Sequence, residues 1–193
     1  MTNPKSSDTD KSKLTSFLAK RGSLIQMELH PDVGALDSSF DISKKSQLMG
    51  VKNSLIFTPL VVSIPNSTPL EICHGLEIKH HYSAFDEANA EIIEKTFVDL
   101  DELEEFWQAA LYLTRVSKSD HSDDFSSTYR YSTRDQLELN LYSKSDSWGC
   151  VLDVAPGGSQ FPLAPEQLTE LSGLLEKSIA KLGDLEQRPR VSH

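Results

Sequence analysis

Hydrophobic and polar residues alternate with a period of two in several stretches of the first half of the chain. In SLIQMELH, Ile25, Met27 and Leu29 alternate with polar neighbours, which is typical of a strand with one buried face. SLIFTPLVVSIP and LEICHGLEIKHHY are two further apolar runs, and the turn NSTP between them predicts a hairpin. EIIEKTFV is a weaker fourth strand. Pro59 cannot donate a backbone hydrogen bond, so it predicts a sheet edge or a bulge.

A three- and four-residue period follows these strands and predicts an amphipathic helix over residues 101–116. Asp101 is the expected N-cap, with Glu104 in the capping-box position three residues later. The apolar stripe of this helix contains Leu103, Phe106, Trp107, Ala110 and Leu111. The Ser-rich and charged stretch RVSKSDHSDDFSS then has no period and predicts a linker between two halves.

The second half repeats this plan. STYRYST, QLELNLYS, WGCVLDV and a short SQFPL predict four strands. A closing helix is predicted over residues 165–182, because Pro165 suits the first helical position and Gly183 suits the stop. Leu168, Leu171, Leu175, Ile179 and Leu182 form its apolar stripe.

The predicted fold class is therefore α+β, with two antiparallel strand meanders, each followed by an amphipathic helix in a ββββα-ββββα pseudo-repeat. We expect a disordered leader over 1–16, one domain over 17–183 with halves 17–116 and 126–183, and a tail over 184–193. The expected core contains Ile25, Met27, Leu29, Val62, Ile64, Ile72, Leu76, Ile78, Phe106, Trp107, Leu139, Leu141, Trp148, Leu152, Leu171, Leu175 and Ile179.

The net charge of −10 over 193 residues keeps such a chain soluble and repels phosphate backbones, so nucleic acid is not an expected partner. No apolar stretch is long enough to span a membrane, and the N-terminus lacks the apolar segment of a signal peptide. The two cysteines, Cys73 and Cys150, do not resemble a disulfide framework. These features predict a cytoplasmic protein with free thiols.

Residue patterns that carry chemistry are sparse. The sequence has no phosphate-binding loop, dinucleotide fingerprint, zinc-protease motif, nucleophile elbow or CxxC pair, so we expect no cofactor. His80 and His81 are adjacent on a predicted strand and point to opposite faces, so we expect no metal site. We accordingly expect no enzyme activity and no catalytic residue. A hydrolase that uses Cys73 or a glutamate is one alternative.

Aromatic and basic side chains mix on the neighbouring strands of the second half. Tyr129, Arg130, Tyr131 and Arg134 are the candidate residues, because such a mixture can stack bases and hold phosphates. The ordinary interpretation is cross-strand packing with solvated arginines. If they bind nucleic acid, the four residues should line one open sheet face.

Three stretches, FVDLDELEEFWQAALYL, TYRYSTRDQLELNLYS and FPLAPEQLTELSGLLEKSIAKL, resemble small uncharacterised bacterial proteins. These proteins share an acidic helix start, a strand pair and a closing helix that begins after a proline. The resemblance covers residues 92–182 and implies no activity and no site residue. The order of elements is also similar to that of single-strand nucleic-acid binders of the PC4, Whirly and PUR-repeat kind.

The function predicted from the sequence is that of a non-enzymatic protein that binds another protein or a second copy of itself. Short meander strands leave sheet edges, and an edge either needs protection or recruits a partner. We expect the contact surface to be an exposed edge or face of a sheet, with Pro59 blocking one edge.

Overall fold

The computed structural model describes residues 12–20, 22–37, 53–83, 91–119, 127–144, 147–158 and 160–187. The chain forms an α+β fold with two antiparallel sheets, and a helix follows each sheet, as the sequence pattern predicts. The helices are α1 (Lys13–Leu18), α2 (Leu100–Val116) and α3 (Pro165–Glu186). The strands are β1 (Gln26–Leu29), β2 (Gly34–Asp37), β3 (Asn53–Ile64), β4 (Glu71–Ser83), β5 (Glu91–Asp99), β6 (Thr128–Ser132), β7 (Glu138–Lys144), β8 (Ser147–Asp153) and β9 (Gln160–Leu163).

The first sheet is built around the long hairpin of β3 and β4. β5 pairs with the outer side of β4, while β1 and β2 pair with successive parts of the other side of β3. In this register Met27 lies opposite Val62, and Leu36 lies opposite Leu55. Residues directly opposite each other in an antiparallel pair share a face, so each pair identifies which side of the sheet a residue occupies.

Pro59 explains why β1 and β2 are two strands rather than one. The His30 N–H donates to the Pro59 carbonyl at 2.9 Å, but Pro59 has no N–H to return the bond. The chain leaves the ladder there and rejoins it where the Val33 N–H donates to the Phe57 carbonyl at 3.0 Å. Residues 30–33 therefore lie opposite only two residues of β3, whereas β3 pairs with β4 without interruption. The prediction that Pro59 blocks a sheet edge is wrong, because β3 is an inner strand.

The second sheet is a four-stranded meander in the order β6-β7-β8-β9. α2 and α3 pack against each other, and α3 also contacts strands of both sheets. One main core therefore joins β2–β9, α2 and α3, and it contains Phe57, Phe106, Leu139, Phe161 and Leu171 among its buried members. A smaller core, formed by Leu14, Leu60, Val62 and Cys73, lies under α1.

The structure corrects two of the expected core positions. Met27 and Leu29 are 43% and 52% exposed, because nothing among the described residues covers their side of β1. Five others are only partly buried: Ile25, Ile72, Trp107, Trp148 and Ile179. The remaining expected core residues are buried.

The helix boundaries also differ from the predicted ones. α2 begins at Leu100, and its N-cap is Asp99 rather than Asp101. α3 continues past Gly183 to Glu186 because Leu182 and Leu185 are both buried against the main core. The segment expected to form the tail is therefore helical over its first residues.

Two elements were not predicted at all. α1 begins at Lys13, within the segment expected to be disordered, while residues 1–11 lie outside the described residues. β2 lies in the stretch predicted to be an irregular connection, and it forms because Leu36 is buried opposite Leu55.

Candidate interaction surface

The two tyrosines of the predicted nucleic-acid face turn toward the core. Tyr131 stacks on Phe106 of α2, with ring centroids 5.4 Å apart and planes 5° from parallel. Burial raises the pKa of Tyr131 to about 12. Tyr129 is partly buried, and its ring centroid lies 6.0 Å from that of Tyr112 and 6.0 Å from that of Trp148. These side chains hold β6 against α2.

The two arginines lie elsewhere. Arg130 points to the opposite side of β6, is exposed, and forms an ion pair with Glu138 of β7. Arg134 lies in the turn between β6 and β7. The four predicted residues therefore do not share one open face, and the ordinary packing interpretation fits the tyrosines.

Arg134 is surrounded by carboxylates from the start of α2. Its guanidinium lies 3.1 Å from Asp99, 2.7 Å from Asp101 and 3.3 Å from Glu102. Burial disfavours the charged form of Asp101, but hydrogen bonds from Lys13 and Arg134 outweigh burial and hold the pKa of that carboxyl below its ordinary value. Burial raises the pKa of Glu102, although the Arg134 backbone N–H donates to it at 2.8 Å.

The same acidic cluster fastens α1 to the sheet. The buried Asp99 carboxylate accepts the Lys13 N–H at 2.6 Å and the Leu14 N–H at 2.9 Å. Asp135 accepts hydrogen bonds from the Ser12 backbone and the Thr15 hydroxyl. The carboxylates thus satisfy N–H groups that a helix start leaves without partners. These hydrogen bonds give the carboxylates a structural role.

Neither cysteine has the environment of a nucleophile. Burial raises the pKa of Cys73 to about 11, with Asp99 adding to the shift, and burial alone raises the pKa of Cys150 to about 12. Both thiols therefore stay protonated near neutral pH, whereas the thiolate is the reactive form. A cleft of about 240 Å³ lies beside Cys73 and is also lined by Lys13, His74 and Glu186.

A second cleft lies beside the turn between β8 and β9. It has a volume of about 300 Å³ and is lined by Glu138, Asp153, Gln160 and the Gly157–Gly158 turn, among others. Burial raises the pKa of Asp153, and the side chain accepts a hydrogen bond from Asn140 at 3.3 Å. Among the described residues, no group of three His, Cys, Asp or Glu side chains is placed to hold a metal ion.

β1 carries apolar side chains on an exposed surface. Met27 and Leu29 are exposed, yet they lie opposite the buried Val62 and Leu60 and thus on the same side of the sheet. Leu24, just before the strand, is 65% exposed. The apolar side chains under α1 therefore continue to the edge of the sheet and end there uncovered.

The outer edge of β1 is also unpaired within the part of the chain that the structure describes. The His30 N–H points toward β3, and N–H groups alternate in direction along a strand. The Gln26 and Glu28 N–H groups consequently point toward β3, while those of Met27 and Leu29 point away from the sheet. We call the open backbone edge of Gln26–Leu29 and the exposed side chains of Leu24, Met27 and Leu29 the β1 surface.

Sequence reasoning found the alternation in β1 but assigned its apolar face to the core. The pattern is the same whether another part of the chain or another molecule covers that face. The sequence alone did not show that β1 lies at the sheet edge.

Comparison of this chain with protein families, curated proteins and solved structures finds no match. Within the described ranges, no helix has the length and apolar character needed to cross a membrane.

Proposed function

We propose that this protein works without catalysing a reaction, by binding another protein chain along the β1 surface. The observation that carries the proposal is the exposure of Met27 and Leu29 on a strand whose outer backbone groups have no partner among the described residues. Apolar side chains on an open sheet edge are costly in water and favour association.

The chemistry of an open edge favours an extended polypeptide as the ligand. A strand added to a sheet edge makes main-chain hydrogen bonds, and alternate side chains supply specificity. The N–H groups of Met27 and Leu29 offer such bonds, while their side chains offer an apolar contact on one face. This arrangement suits a partner strand with apolar residues at every second position.

The two alternative functions lack a specific supporting observation. A hydrolase with Cys73 as its nucleophile needs a thiolate, but burial raises the pKa of that thiol to about 11. A single-strand nucleic-acid binder needs exposed aromatic rings, but Tyr131 stacks on Phe106. We also propose a cytoplasmic location, supported by the two unpaired thiols, which are buried in separate cores.

The experiment compares the proteins that wild-type and variant chains capture from the native host, identified by mass spectrometry. The double variant Met27→Lys/Leu29→Lys places two charges on the β1 surface and should lose the captured partner. Ile93→Lys is the matched control, because Ile93 is 55% exposed on β5, the strand at the opposite edge of the same sheet. Equal capture by all three chains, each shown to be folded by circular dichroism, would contradict the proposal.

A further inference from the structure

We propose that the chain that pairs with the β1 surface is a second copy of this protein, in an antiparallel two-fold arrangement centred on Met27. This inference rests on the proposed function and identifies its partner. Three features of β1 support this pairing: the direction of its backbone groups, its charges and its apolar pattern.

The backbone fixes which residues can face each other across the new pair. The Met27 and Leu29 N–H and C=O groups point outward, and Ile25, which precedes the strand, has the same parity. Two copies of an edge can exchange hydrogen bonds only where outward-pointing residues meet. Odd-numbered residues must therefore lie opposite odd-numbered residues.

Charge and apolar contact then select one register. If Met27 lies opposite Leu29 of the second copy, Glu28 lies opposite Glu28, and like charges directly opposite each other destabilise a pair. If Met27 lies opposite Met27, Gln26 lies opposite Glu28, and Ile25 lies opposite Leu29. The second register separates the carboxylates and aligns all three apolar side chains, so it is the one we infer.

This pairing also explains the sequence pattern of the strand. Ile25, Met27 and Leu29 have the alternation of a half-buried strand, yet Met27 and Leu29 are exposed in the single chain. In the two-fold pair, these side chains from both copies lie together on one face. They continue the apolar surface of Leu60 and Val62 across the interface.

The two-fold arrangement also limits the assembly to two chains. An isologous contact uses the same surface on both copies, so pairing leaves no second β1 edge to extend the sheet. The pairing ends after a few residues, because the chain leaves the ladder beyond His30, opposite Pro59. A short strand pair of this kind predicts a reversible, concentration-dependent dimer.

Single cysteine variants test the register directly. In the inferred pair the Met27 Cα atoms of the two copies lie about 5.5 Å apart, within the range a disulfide can span. Met27→Cys should therefore form a covalent dimer under mild oxidation about tenfold faster than Glu28→Cys. In the inferred register residue 28 lies opposite residue 26 of the second copy, so the two residues 28 do not face each other. The wild-type chain is the blank, because its own two cysteines are buried. Equal or reversed rates for the two variants would overturn the inferred register.

Sedimentation of the unmodified chain separates this inference from the proposed function. The wild-type chain and Ile93→Lys should form dimers as concentration rises, whereas Met27→Lys/Leu29→Lys should remain monomeric. A wild-type chain that stays monomeric up to about 1 mM overturns the self-pairing inference. The proposed function would then still stand if a different protein is captured only by chains with an intact β1 surface. It would fall if capture did not depend on that surface.

Discussion

At the scale of single residues, Asp99 connects three parts of the molecule. Asp99 is the residue that precedes α2. Its carboxylate pairs with Arg134 in the turn between β6 and β7, and it accepts hydrogen bonds from the first N–H groups of α1. A buried carboxylate is stable in an ionised form only when such partners surround it. The contacts of this carboxylate with Arg134, the Lys13 N–H and the Leu14 N–H therefore depend on one charge.

Asp99→Asn removes that charge with almost no change in shape. We expect the free energy of unfolding to fall by about 3 kcal/mol, since Arg134 loses its most buried partner and one helix N–H loses its acceptor. Urea denaturation measures the loss. Glu104→Gln is the control, because Glu104 is exposed on the same helix, and its effect should stay within about 0.5 kcal/mol. An equal loss in both variants would contradict the role given to Asp99.

Cys150 predicts a dependence of stability on alkaline pH. Burial raises the pKa of this thiol from 9.0 to about 12, so between these values the folded chain holds a proton that the unfolded chain releases. The stabilisation is complete below pH 9 and is lost as the pH rises through about 12, at about 1.4 kcal/mol per pH unit. Urea unfolding at several values between pH 8 and pH 11 should give a shallower decline for Cys150→Ala. An identical slope in wild type and variant would refute this assignment.

At the scale of elements, α1 depends on the absence of a side chain at Gly75. An added Cβ at this position of β4 would lie 2.2 Å from Leu14 and 2.5 Å from the Val98 carbonyl oxygen. The leucine can shift, but the backbone oxygen of β5 cannot move without disturbing the strand pair. The close approach of α1 to the sheet therefore requires glycine here.

Gly75→Ala should lower the free energy of unfolding by about 2 kcal/mol through this overlap. Hydrogen exchange at the Leu14 amide should become faster, because α1 is pushed away from Asp99. Gly173→Ala is the control, since an added Cβ in the middle of α3 meets nothing within 4 Å. That substitution should raise stability by up to about 1 kcal/mol by favouring the helix. Gly75→Ala with wild-type stability would show that α1 does not pack as described.

The elements predicted correctly from the sequence are those whose signals are local. α3 has a long apolar stripe after Pro165, and the hairpin of β3 and β4 has two alternating runs around a turn. α1 has only six residues, and the carboxylates that bind its start are Asp99 and Asp135, more than 80 residues away along the chain. The sequence around a residue does not reveal partners so distant along the chain. For the same reason, Asp99 was not recognised as the N-cap of α2.

At the scale of the whole molecule, the contact surface expected from the sequence stays a prediction. The sequence indicated an exposed sheet edge as the contact, and β1 is such an edge. It also assigned Met27 and Leu29 to the core, because an alternating pattern does not show where a strand lies in its sheet. The aromatic and basic residues of β6 were expected to share one face of the sheet, but they lie on opposite faces. Neighbours in sequence alternate between the two faces of a strand, so Tyr131 and Arg130 point to opposite sides.

Amide hydrogen exchange at β1, measured by nuclear magnetic resonance, tests the central claim most directly. The Met27 and Leu29 N–H groups point away from the sheet, so they should exchange rapidly in the dilute single chain, whereas the Glu28 N–H points toward β3 and should already be protected. If a protein chain binds this edge, exchange at Met27 and Leu29 should slow by about tenfold as the concentration rises or as a captured partner is added. Rapid exchange at both amides, unchanged at about 1 mM chain and in the presence of that partner, would contradict the account.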